Sequence, residues 1–73
     1  MIPQWQPVES TRITHEAYDP DNERILVRFP NGVEWCYEAC PPDVWRAFTA
    51  PGQSRGQFIA RVLDHKPHHR FDG

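Results

Sequence analysis

The chain has 73 residues, eight basic and ten acidic, for a net charge of −2. A chain this short makes one small domain that buries only roughly 60% of its unfolded surface, which excludes a deep, enclosed active site; the near balance of charge excludes a strongly basic, histone-like nucleic-acid binder. The longest run of large apolar residues is Ile25-Leu26-Val27, so neither a membrane span nor a signal segment is read, and a soluble, cytoplasmic domain is expected.

Residues 1–9 hold Pro3 and Pro7 without periodicity and read as an extended N-terminal arm anchored by Trp5. Ile13, His15 and Ala17 alternate with Thr14, Glu16 and Tyr18, which predicts a first strand over residues 11–18. Asp19-Pro20-Asp21-Asn22 is a dense turn signal. Residues 24–29 and 33–38 then predict a hairpin. A two-residue Asn31-Gly32 turn would set Phe29 against Glu34. A three-residue Pro30-Asn31-Gly32 loop instead unites the apolar faces as Phe29–Val33, Val27–Trp35 and Ile25–Tyr37, and sets Arg28 against Glu34 and Arg24 against Glu38. The longer loop is the expected one. It leaves Arg24, Leu26, Arg28, Glu34, Cys36 and Glu38 on an open face.

Pro41-Pro42 ends the sheet and opens a helix, with Pro42 in the first helical position, Asp43 in the first turn and Val44, Trp45 and Phe48 on one face. Ala50-Pro51-Gly52 breaks it. Ser54 caps a second helix whose apolar stripe is Phe58, Ile59, Val62 and Leu63, running until Pro67. The expected fold is therefore α+β: a three-stranded antiparallel β-meander followed by two short helices packed on one face. A single domain spans residues 10–66, and residues 67–73 form a flexible tail.

Val8-Glu9-Ser10 with Ile13 and Tyr18-Asp19, then Ile25-x-Val27-x-Phe29, Asn31-Gly32 and Trp35-Cys36-Tyr37, then Pro41, Val44-Trp45, Phe48, Ala50 and Ser54-x-Gly56-x-Phe58, resemble in order and spacing the KTSC domain family. The resemblance runs from about Val8 to Leu63. The family is named for a segment at the C-terminus of some lysyl-tRNA synthetases and also occurs as small stand-alone bacterial and phage proteins. It implies a binding module for which RNA has been proposed as ligand. This chain departs from the family's pattern in carrying Trp35 where Tyr is typical, and in the longer Pro51-Gly52-Gln53 link before Ser54.

The candidate sites follow from charge and spacing. Residues 1–40 carry three basic and seven acidic side chains, net −4, whereas residues 41–73 carry five and three, net +2. The second half therefore supplies the candidate phosphate contacts: Arg55, Arg61, Lys66 and Arg70, with Gln53 and Ser54 at the helix start. On a helical wheel of about 100° per residue, Arg55 and Lys66 fall near the apolar stripe and suit snorkelling cations, while Arg61 lies on the far side. Gly56 would allow close packing or close approach of a phosphate. The hairpin register places Trp35 and Tyr37 under the helices, which leaves no base-stacking platform.

Catalysis and metal binding find little support. Ser54 and His65 lie about 16 Å apart along one helix at 1.5 Å per residue, too far to act together, and no paired-acid or Gly-rich phosphate motif is present. No enzyme is read and no cofactor is expected. Cys36 and Cys40 stand about 13 Å apart on an extended chain at ~3.3 Å per residue, too far for a disulfide. Their combination with His65 and His68 does not match zinc-module spacing, so no metal ligands are assigned. The leading expectation is a small non-catalytic module that binds RNA or a nucleic-acid-associated assembly through a diffuse basic edge. The alternative is a protein–protein interaction module, a phage or bacterial factor docking on one host protein through Trp5, Arg24, Leu26 and Arg28.

Overall fold

The computed structural model describes residues 2–72. Alternation of apolar residues builds a sheet whose central strands are β2 (His15–Asp19), β3 (Arg24–Arg28) and β4 (Glu34–Tyr37), paired antiparallel in chain order. The β3–β4 register is Ile25–Tyr37, Val27–Trp35 and Arg28–Glu34, as the alternation predicts. The Phe29 N–H donates to the Val33 carbonyl and the Gly32 N–H donates back to that of Phe29, both at 2.9 Å, which closes the three-residue loop. Gly32 has φ +86°, the left-handed geometry this loop requires. Arg28 pairs with Glu34 at 2.8 Å; Arg24 reaches Asp19 at 2.8 Å and Glu38 at 3.9 Å.

The three-stranded expectation is corrected to five strands among the described residues. The arm contributes β1 (Gln6–Pro7), paired with Glu16 and His15 of β2. The tail contributes β5 (His68–Arg70), paired with Tyr37, Cys36 and Trp35 of β4. Both are short edge strands, where a proline and exposed polar residues are tolerated because one side of the strand needs no partner. The arm is extended, as its composition suggests, and the tail is paired with the sheet over His68–Arg70.

Helix α1 (Pro42–Phe48) starts with proline in its first turn, and α2 (Arg55–Arg61) is capped by Ser54, whose hydroxyl accepts from the Gln57 N–H at 3.3 Å. The expected continuous helix to Pro67 is corrected as well. Val62, at φ −121°, ends the α-helical run, and the chain tightens into a 3-10 turn, Leu63–His65, that carries Leu63 into the core. The core lies between the helices and one sheet face, with Ile13, Ile25, Val27, Tyr37, Cys40, Phe48, Ile59 and Leu63 buried. Tyr18 of β2 stacks on Trp45 of α1 at 5.2 Å, and Phe48 meets Phe58 at 5.4 Å, so aromatic contacts join sheet to helix and helix to helix.

The opposite face is not open in the way the alternation suggests. Leu26 and Cys36 are fully buried and Ala17 nearly so. They form an apolar row between two charged rows, Asp19–Arg24–Glu38 and His15–Arg28–Glu34. The two guanidinium groups are paired with Asp19 and Glu34 along those charged rows.

Candidate functional site

A cleft of about 590 Å³ opens on the helix side of the sheet, beside the β3–β4 loop. Phe29, Trp35 and Tyr37 line it because the hairpin register places their side chains on one face. Arg12 enters from the segment before β2, Asn31 from the hairpin loop, Asp64 from the 3-10 turn and His68 from β5. The His68 ring lies 5.8 Å from that of Trp35 and 5.5 Å from that of Tyr37, and the Arg12 guanidinium sits over Phe29 at 5.1 Å. Gly56 of α2 helps set that position: a Cβ there would meet the Arg12 Cβ at 3.3 Å, so glycine lets the helix lie close against Arg12. Burial, reinforced by the nearby Asp64 carboxylate, pushes the Tyr37 hydroxyl up to about 12, so it stays protonated as a hydrogen-bond donor.

The expected burial of the aromatic pair thus divides. Tyr37 is core, at 3% exposure. Trp35 is only half-buried, as is Phe29, and both present surface to the cleft. The helices do not cover this end of the sheet. Arg70, exposed on β5 with its Nε 3.9 Å from the likewise exposed Asp72, stands directly opposite Trp35 in the register, on the same sheet face as the cleft.

The other basic-edge candidates are dispersed. Arg55 is turned inward: its Nε donates to Glu16 Oε1 at 2.8 Å and its Nη2 to Glu16 Oε2 at 3.1 Å, while the guanidinium lies 5.4 Å from the Phe48 ring centre. A cation neutralised by a buried carboxylate is not available to a phosphate, so Arg55 is corrected from a phosphate contact to a structural ion pair. Gln53 donates to the Ser54 carbonyl at 3.1 Å and Ser54 serves its own helix. Arg61 is exposed at the far end of α2. Lys66 donates to the Ala39 carbonyl at 2.8 Å. Arg55 does not snorkel to solvent, and Lys66 lies beyond the end of α2; each finds a protein partner.

The alternative docking set is dispersed in the same way. Leu26 is corrected from an exposed contact to a buried one. Trp5 is half-buried with the Arg28 guanidinium 4.7 Å from its ring centre, and Arg24 and Arg28 are both engaged by carboxylates. Cys36 and Cys40 are free thiols, both buried. Burial, with the Glu38 carboxylate adjacent, pushes the Cys36 thiol up to about 11. Burial likewise pushes Cys40 up. Arg12 and the cleft were not singled out from the sequence, because Arg12 lies outside any regular element and meets Phe29 only once the sheet has formed.

A family model described as KTSC domain matches residues 9–66. A protein of Tsukamurella paurometabola is 35% identical over 65 residues, covering 89% of this chain and 92% of that one. The crystal structure of a KTSC domain protein from Yersinia pestis superposes with a TM-score of 0.85 at 28% identity, covering 96% of this chain and 99% of that one. The family model spans most of the chain and the shared fold agrees with it, so the chain belongs to this family: this is a KTSC domain.

Proposed function

We propose that this domain is a small, non-catalytic module that binds single-stranded RNA, taking one unstacked base in the cleft beside Trp35. The observation that carries the reading is the cleft itself: a half-buried indole and a phenyl ring flanked by Arg12 and Arg70, with Asn31, Asp64 and His68 at its rim. Aromatic and guanidinium planes accept any base face, and short polar side chains at the rim can bond a base edge. Arg12 and Arg70 carry the phosphate contacts in place of Arg55. With so few cations the binding is weak and only modestly salt-dependent.

The test is an isotope-edited titration of the folded domain with a short single-stranded RNA at physiological salt. Shifts are expected at the Trp35 indole, Phe29–Asn31, Arg12 and His68. Trp35→Ala should weaken binding by roughly 5- to 150-fold, the loss of ~1–3 kcal/mol of stacking. Arg12→Ala with Arg70→Ala should flatten the log–log salt slope by about 1.4, at ~0.7 per phosphate contact. Absence of shifts ends the reading. Shifts confined to the Trp5–Arg28 face would favour protein docking instead.

A further inference from the structure

Pairing of β5 with β4 sets His69 directly opposite Cys36 on the sheet face away from the cleft. Glu38, two residues beyond Cys36, projects to the same side. The His69 Nε2 lies 2.9 Å from Glu38 Oε2, the Cys36 Sγ lies 3.5 Å from that same oxygen, and all three ligand atoms fall within 4.8 Å of one another. We propose that Cys36, Glu38 and His69 form a binding site for a divalent transition ion of the zinc or cobalt type.

The spacing suits such an ion. Zinc bonds of about 2.3 Å to sulfur and ~2.0 Å to oxygen or nitrogen, at tetrahedral angles, need edges of about 3.5 Å for S···O and about 3.3 Å for O···N. The first edge is already present. The second requires His69 and Glu38 to part by a few tenths of an ångström, and the third, between the Cys36 sulfur and the His69 nitrogen, lies within 4.8 Å and has to close to about 3.5 Å; His69 is more than half exposed and can move to meet both. The donor set also selects the ion: thiolate and imidazole disfavour magnesium and calcium, which prefer all-oxygen shells. On binding, the Cys36 thiol gives its proton to solvent, so one thiolate and one carboxylate balance the ion's two positive charges. Arg24 is the cation at the site, hydrogen-bonded to Cys36 and with its Nη1 3.9 Å from Glu38 Oε2; on metal binding the guanidinium gives up the sulfur and stays paired with Asp19 at 2.8 Å. Three protein ligands leave a fourth position for water on the solvent side.

This site lies on the other face of the sheet from the RNA cleft and does not rest on that reading. The experiment is a titration of untagged, metal-free protein with Co2+, followed by displacement with Zn2+. The expected result is one equivalent bound, with a thiolate-to-cobalt charge-transfer band and the visible bands of tetrahedral cobalt. His69→Ala and Glu38→Gln should each weaken binding at least ~10-fold, and Cys36→Ser should abolish the charge-transfer band. His65→Ala and His68→Ala should leave binding unchanged. His69 is exposed, so its variant decides the question even if loss of the buried thiol disturbs folding. Cobalt binding without the sulfur band, or binding that survives His69→Ala, would overturn the proposal, as would absence of binding.

Discussion

The Glu16–Arg55 pair offers the sharpest test of how this small domain is held together. Glu16 is all but buried, with 3% of its side chain exposed against 16% for Arg55. Replacing Arg55 by Met keeps an apolar stem against Phe48 but removes both guanidinium bonds. The buried carboxylate then retains only the Gln6 Nε2, at 3.4 Å. Removing one partner of a buried pair costs about 3–5 kcal/mol, and the partial exposure of Arg55 argues for the lower end. A chain of this length has a total stability of roughly 4–11 kcal/mol, at ~0.05–0.15 kcal/mol per residue. Unfolding entropy of ~2.1 cal/mol/K per residue makes each kcal/mol worth about 6 °C, so Tm should fall by about 20 °C. Thermal unfolding followed by far-ultraviolet circular dichroism measures this directly. The double variant Glu16→Leu with Arg55→Met removes both charges and should recover most of the loss. A single variant that melts within about 5 °C of the parent would mean that Glu16 is already well hydrated, and the account of Arg55 as a structural cation would fall.

Two further outcomes are expected. Burial pushes the Asp19 carboxyl up, but hydrogen bonds from Asn22 and Arg24 outweigh it and hold it below its ordinary 3.8; its stabilisation is present above that value and is lost as pH falls through the lowered one, so Tm should drop steeply only below about pH 4, and less so in Asp19→Asn. Gly32→Ala places a Cβ at φ +86° with nothing within 4 Å of it, so the penalty is purely conformational, about 1–2 kcal/mol, and an unchanged denaturation midpoint would show that the loop adopts another turn.

Legibility in the sequence followed the range of the interactions. The hairpin was readable because two independent patterns, apolar on one face and opposite charge on the other, favour the same three-residue loop. The helix starts were readable because Pro42 and Ser54 act on their own first turns. The edge strands were not, since Gln6–Pro7 and His68–Arg70 are too short for a period to show. The α2 terminus at Arg61 was missed because the apolar spacing of Val62 and Leu63 suits an α-helix and a 3-10 turn alike. Leu26 and Cys36 looked exposed because their neighbours alternate as charged residues, yet both are fully buried once the sheet has formed. Of the candidate cations, Arg55 was misassigned because its partner lies in β2, and Arg12 was overlooked because its ring partner is Phe29. Both contacts depend on tertiary folding.

Strand β5 arrives at the sheet only after both helices have intervened, whereas β1 to β4 follow one another in chain order. It is held at one edge, and its alternate side chains serve opposite faces: His68 lines the aromatic cleft and His69 meets Glu38. Fraying of this strand dismantles both clusters together, and anything that clamps one of them orders the backbone that the other uses. If both proposed sites bind, their occupancies will be linked through the conformational entropy of three residues, with positive cooperativity and no movement of the core.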